Sequence, residues 1–508
     1  MDALFTPLAG ALGASVDQVK LIVCLLIAYP LGSVFIRIPS SRPELKHLFN
    51  VGITLLFFFP VLQLYTEFFQ LLASVLATYV LARYHHGSQM PWIVFVIVMG
   101  HLTVNHVIRA VYQYSYEKLE VTGPQMVLTM KLTTFAWNVY DGRRPAADLD
   151  KWQTAKRVTK FPTLLEFLGY SFYFPGMLVG PYLDYADYTD LINETVFKKL
   201  EIKGKKGRNV PVGRKRVAYR KMLEGLMYLG VFVTLGSTWN YGISLTPWFA
   251  EKGFFTRVAV YQICGVFERS KYYAIWTLTE GASILTGLGF TGIGPSGETL
   301  WNGAANVKVL VIEFPENFKV LLDAWNMKTN VWLRECVYKR VTPAGKKPGF
   351  RSSMITFATS AFWHGIALGY YLTFLTGGFI TTIGRLARAN IRPLVLGAPG
   401  TPPTLAKRAY DIAGTVISIL LLNYAASPFM LLSAKASFWT WWQLGFYGHG
   451  IIGVSMAFFY LGGARWCKSL QYKQAGKLTR GISMVGTPVE EKQLMVPPSL
   501  DQIVPPQK

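Results

Sequence analysis

A chain of 508 residues that is 51% hydrophobic and only 16% charged is too apolar for an ordinary soluble protein, where charged residues make up about a quarter of the total. A net charge of +23 would point to nucleic acid in a soluble chain, but here the basic residues lie in loops between apolar blocks. That is the pattern of cytosolic loops facing anionic headgroups, so a nucleic-acid role is set aside.

The apolar blocks approach the roughly 20 residues that cross a bilayer as helix, and they lack the short alternating runs of an outer-membrane barrel. Candidate helices fall near 19–38, 51–66, 70–83, 91–110, 125–140, 162–182, 222–241, 256–267, 272–292, 305–323, 352–379, 410–432 and 447–465. An all-α, polytopic membrane protein with roughly 10 to 12 transmembrane helices is expected. The first block has no basic region before it and no small-residue cleavage site after it, so it is expected to stay as the first helix rather than be removed as a signal peptide. Phe172 to Pro181 (FYFPGMLVGP) is broken by Gly and Pro and reads as a re-entrant segment buried in protein. Irregular backbone at that depth implies an internal chamber.

Between Lys198 and Lys221 eleven basic residues face only Glu201, which marks this loop as cytosolic and the sequon Asn193-Glu194-Thr195 as unused. The basic loop Lys339 to Arg351 and the tail with Lys468, Lys473, Lys477 and Arg480 should be cytosolic too. Three candidate spans separate Arg351 from Lys468, and the loop with Arg385, Arg388, Arg392, Lys407 and Arg408 is also basic. Either one segment does not cross or one loop breaks the positive-inside rule. A single membrane domain over 1–480 is expected, followed by a disordered polar tail over 481–508. Cys24, Cys264, Cys336 and Cys467 are far apart, with no CxxC and no Cys/His pairing, so neither a disulfide framework nor a metal site is indicated.

The seven histidines are His47, His85, His86, His101, His106, His364 and His449. His364 stands roughly ten residues from either end of the 352–379 block, where an ionisable group is costly unless it faces protein or water. A satisfied packing histidine and a functional one both remain open on that ground. Upstream, LLDAWNMKTNVWLRECVYKR (Leu321 to Arg340) is too polar to face lipid. On a helix, Trp325 shares a face with Thr329, four residues on, and Asn326 shares one with Asn330. Hydrogen bonding between helices would explain those asparagines equally well. Tyr273, Trp276 and Glu280 also share a helical face. Glu280 and Asp141 serve either substrate binding or structural salt bridges.

WNMKTNVWL followed by a basic loop and SAFWHG resembles the membrane-bound O-acyltransferase family, in its lysophospholipid branch and most similar to fungal members. The segments FAWNVYDG (Phe135 to Gly142), PTLLEFLGYSFYFPGMLVGP (Pro162 to Pro181) and YAIWTLTEG (Tyr273 to Gly281) look like the same branch. Only the last 40 or so residues carry no match. The resemblance implies catalysis by His364 with Asn326, Asn330 being a weaker candidate for the partner role. Trp325, Asn330, Trp363, Glu280 and Asp141 are the candidates for substrate contact. It implies transfer of an acyl group from acyl-CoA, a co-substrate, to a lysophospholipid hydroxyl in the endoplasmic reticulum membrane, with no metal or other cofactor. Neutral imidazole suits the removal of that hydroxyl's proton near neutral pH. An amide donor suits the oxyanion, or orients the imidazole.

No GxSxG, HExxH or GxxxxGK[ST] motif is present, against serine hydrolases, zinc proteases and P-loop ATPases. A sterol, diacylglycerol or protein acceptor stays open, as does, more remotely, a lipid transporter or scramblase, although no matching half-chains are visible. A monomer is the default expectation.

Overall fold

The computed structural model describes residues 2–114, 118–198, 210–343, 345–346, 349–397 and 400–483. Residues 199–209 of the basic stretch and the tail from 484 onward lie outside the described residues. The chain is all-α; the one sheet among the described residues is a two-stranded hairpin in which Gly292–Ile293 pairs antiparallel with Thr299–Leu300.

Helix starts follow local capping chemistry. Ser15 opens Val16–Phe35 with a capping box: its hydroxyl accepts from Gln18 N at 3.2 Å while Gln18 Oε1 accepts from Ser15 N at 3.0 Å. Asp150 and Thr163 do the same for Lys151–Lys156 and Leu164–Ser171. Pro43 and Pro91 stand in first turns, where a missing N–H is tolerated.

Among the described residues, Val16–Phe35, Pro43–Val61, Tyr65–Tyr84, Met90–Val111 and Leu405–Leu431 are long and apolar enough to cross a membrane. Other expected spans are helical but shorter, or richer in polar residues. The most buried of these is Thr122–Gly142, covered on nearly every face. Leu128, Leu132, Phe135 and Val139 enter the main apolar core. Its polar side chains bond locally: Thr129 donates to Gln125 O at 2.8 Å and Thr133 to Thr129 O at 2.7 Å.

The segment expected to be irregular and buried is so. Leu164–Ser171 is followed by one 3-10 turn, Phe174–Gly176, and then by non-helical backbone to Tyr182. The buried Lys131 ammonium donates to the carbonyls of Tyr170 and Ser171, and Tyr170 Oη donates back to Lys131 O at 3.1 Å. This ties the run to the central helix without any regular pairing of its own.

Three stretches depart from the expected elements. The blocks 256–267 and 272–292 are one 33-residue helix, Phe254–Thr286. The charged Glu268-Arg269-Ser270-Lys271 reads as a break, yet its charges are met inside: Arg269 forks onto Glu313 at 2.9 and 2.6 Å, and Lys271 pairs Glu268 at 3.0 Å. The block 352–379 is two helices, Phe350–His364 and Leu368–Asn390, broken at Gly365 with φ 138°, a value that suits glycine. His364 is therefore a helix's last residue, not its middle. The run 321–340 is also broken: Phe318–Ala324 ends at Trp325, Asn326 is left-handed with φ 45°, and Met327–Leu333 starts afresh. Asn326 and Asn330 thus do not share one helical face.

The chain divides into two compact units, Met1–Gly384 with Asp411–Gly453, and Arg385–Tyr410 with Val454–Lys508. The candidate site lies wholly in the first. In the second, Gln471 donates to Asn390 O at 2.7 Å.

Candidate active site

His364 ends its helix against a wall of rings. Its imidazole centroid is 4.6 Å from Trp363, 4.8 Å from Phe429, 5.3 Å from Phe374 and 5.7 Å from Tyr370. Its ring makes no hydrogen bond among the described residues. The position is held from behind by Trp363, whose Nε1 donates to Met126 O at 3.0 Å and whose ring lies 5.5 Å from Trp332. His106 Nε2 lies 3.2 Å from Trp363 O. A carbonyl only accepts, so that nitrogen carries the proton and His106 pins the end of the helix.

Asn326 sits where the second polar run breaks. Its Oδ1 accepts from Thr329 Oγ1 at 2.9 Å and from Asn306 Nδ2 at 3.1 Å. Both bonds hold the oxygen end, leaving the amide NH2 with no partner among the described residues. Trp325, one residue earlier, turns the other way and joins a ring cluster with Trp276 at 5.3 Å, Tyr272 at 5.6 Å and Tyr273 at 6.0 Å.

Both groups open onto one cavity of about 1080 Å³. Its walls come from the ends of Met90–Val111 and Thr122–Gly142, the irregular run Leu178 to Tyr182, and Tyr272 and Trp276 of the long helix. Ligand pockets run to roughly 300–1,000 Å³, so this one stands at the upper end of that range. The lining is mainly apolar, with Arg109 and Lys328 as its cations. Arg109 pairs Glu120 at 2.8 Å, and Lys328 Nζ donates to Gly303 O at 2.6 Å.

Of the seven residues singled out in the sequence, His364, Asn326 and Trp363 line the cavity, and Trp325 backs it through Trp276. Asn330, Glu280 and Asp141 are not in the lining. Asn330 Nδ2 donates to Leu322 O at 2.7 Å. Glu280 meets Lys221 at 3.4 Å. Asp141, wholly buried, accepts from Arg340 Nη1 at 3.0 Å and lies 3.7 Å from Arg144. Among the lining residues that the sequence did not single out are His106 and Asn306. His106 is one of several histidines in apolar blocks, and Asn306 stands in a loop with no motif, so neither carried a local signal.

The fold is that of a multi-pass membrane protein, with an internal cavity that His364 and Asn326 both line. Comparison with known proteins gives the family. The model of the membrane-bound O-acyltransferase family matches residues 48–427, and the chain belongs to that family. It is 40% identical over 459 residues to a lysophospholipid acyltransferase of Schizosaccharomyces pombe, covering 90% of this chain and 89% of that one. It is 36% identical over 475 residues to the lysophospholipid acyltransferase of Saccharomyces cerevisiae, covering 90% and 76%. Against membrane-bound glycerophospholipid O-acyltransferase 2 of Gallus gallus the identity is 32% over 450 residues, covering 86% and 84%.

Proposed function

We propose that this chain is an acyl-CoA-dependent lysophospholipid acyltransferase of the endoplasmic reticulum membrane, with His364 as general base and Asn326 as oxyanion donor. The observation that carries the reading is the meeting of an imidazole and a half-committed amide, brought from two separate chain breaks, on one largely apolar cavity. The names borne by the relatives support the choice of acceptor.

In the reaction, a ring nitrogen of His364 takes the proton of the lysophospholipid hydroxyl as its oxygen attacks the thioester carbonyl carbon. Negative charge gathers on the carbonyl oxygen, where the Asn326 NH2 donates. The tetrahedral adduct collapses, the carbon–sulfur bond breaks, and the CoA thiolate takes the proton back from the imidazolium. The products are the diacyl phospholipid and free CoA, and His364 is neutral again. The aromatic wall keeps water, a competing nucleophile, from the thioester.

The test is CoA release by detergent-purified protein offered acyl-CoA with a panel of lysophospholipids, a sterol and diacylglycerol. Release that depends on a lysophospholipid supports the reading. Release driven only by sterol or diacylglycerol replaces the acceptor, and silence on every acceptor removes the assignment. Co-fractionation of the tagged protein with endoplasmic reticulum markers tests the location.

A further inference from the structure

The start of Met327–Leu333 poses a local problem. The first amides of a helix lack partners inside it and are met by the side chain of the preceding residue. Here that residue is Asn326, whose side chain caps nothing. The amides are instead served from another loop. Met327 N donates to Asn306 O at 2.9 Å, and Lys328 N donates to Asn306 Oδ1 at 2.9 Å. Asn306 is nearly fully buried, at 3% exposure. Its loop is fastened to the same break by Lys308 N on Ala324 O at 3.1 Å and by Lys328 Nζ on Gly303 O at 2.6 Å.

The borrowed cap frees Asn326 from the duty its position would impose. Asn306 then adds one further bond, from its own Nδ2 to Asn326 Oδ1, and Thr329 supplies another. The Asn306 NH2 fixes which way the Asn326 amide faces: Lys328 N on Asn306 Oδ1 keeps that NH2 in place, and turning the Asn326 amide would set NH2 against NH2. The left-handed backbone at Asn326, which an asparagine tolerates better than most residues, completes the turn.

We propose that Asn306 is a positioning residue for the acyl transfer: through one side chain it caps the helix that Asn326 precedes and orients the Asn326 amide toward the reacting carbonyl. The inference rests on Asn326 being the oxyanion donor. It also explains why a residue 20 positions upstream, outside any motif, is drawn into the cavity wall.

The two functions of Asn306 separate chemically. Asn306→Asp keeps an acceptor for Lys328 N and, being anionic, remains a good partner for a helix N-terminus, but it cannot donate to Asn326 Oδ1. Steady-state kinetics with radiolabelled acyl-CoA and lysophospholipid would compare wild type, Asn306→Asp and Asn306→Ala, each also in an Asn326→Ala background. Misplacing a catalytic group costs about 10²-fold, so Asn306→Asp should lose on that order in kcat with little change in either KM and an unchanged melting temperature. In the Asn326→Ala background the same substitution should cause almost no further loss, because it acts through the missing amide. Wild-type kcat in Asn306→Asp overturns the proposal, as does a loss that repeats undiminished without Asn326. If Asn326→Ala itself keeps full rate, the catalytic assignment fails and the positioning role with it. If Asn326→Ala is crippled and Asn306→Asp is not, only the positioning role fails.

Discussion

Two asparagines in this protein have opposite surroundings. Asn423 has both ends of its amide committed: Oδ1 accepts from Arg269 and from Tyr241 Oη at 3.0 Å, while Nδ2 donates to Gln262 Oε1 at 2.7 Å. Around it Arg269 forks onto Glu313, which also accepts from Tyr273 Oη at 2.6 Å. Asn326 is committed at its oxygen only. A closed network rigidifies a core; a donor held in place at one end and open at the other is what a developing oxyanion needs. The open end alone does not identify a site. The Asn138 amide and Trp137 Nε1 are buried without hydrogen-bond partners among the described residues, yet neither lines the cavity. Capacity left open and access to the cavity must coincide.

The sharpest break of this comparison comes from His364. General acid–base catalysis contributes about 10²–10⁴-fold, so His364→Ala should lose that much in kcat while the purified protein keeps its yield and melting temperature. A variant that holds even a tenth of wild-type rate would mean that the ring is only part of the aromatic wall.

Next in size, the two asparagines should answer oppositely to alanine. Asn326→Ala should lose about 10²–10³-fold in kcat with modest effect on stability. Asn423→Ala takes away the partner of Arg269 Nη1, Tyr241 Oη and Gln262 Oε1, which costs about 1–3 kcal/mol and lowers the melting temperature, with kcat kept in the folded fraction. Thermal unfolding and turnover measured on the same preparations decide it; matching responses in both would dissolve the distinction.

This contrast was only half legible in the sequence. The family resemblance carried by WNMKTN and a downstream WHG pointed to His364 and Asn326, where composition alone left packing and function both open. Their placement was hidden. Apolar periodicity continues from Phe350 past Gly365, so nothing but one glycine marks the break that puts His364 at a helix end. Helical spacing likewise joins Asn326 to Asn330, and only the bonds from the distant Asn306 select the left-handed turn that parts them. The charges of Glu268 to Lys271 misled in the other direction, since the carboxylate that meets Arg269 lies at position 313. Long-range partners decide all three, and a local pattern does not contain them.

Gly365→Ala sharpens the comparison on the histidine side. A side chain at φ 138° is strained by about 1–3 kcal/mol, and the added Cβ would sit 3.2 Å from the Tyr370 ring, itself part of the His364 surround. The helix end should shift, with kcat falling by about tenfold and the melting temperature by a few degrees. Unchanged kinetics would show that the break tolerates an ordinary residue and that the ring's position does not depend on it.

The smallest effect is expected at His101, a histidine on the same helix as His106 that does not line the cavity. Its Nδ1 is 2.7 Å from Ser74 Oγ, which joins Met90–Val111 to Tyr65–Tyr84. A hydrogen bond of this kind contributes about 0.5–1.5 kcal/mol, so His101→Ala should lower the melting temperature slightly and leave kcat and both KM values as they are. His106, five residues on, faces Trp363 instead, and its loss should reach turnover through the helix end that it pins. A fall in kcat at His101 comparable to that at His106 would show that tightening the bundle anywhere is enough to set the rate. Separation of the two would confine the chemistry to histidines whose bonds end at the cavity.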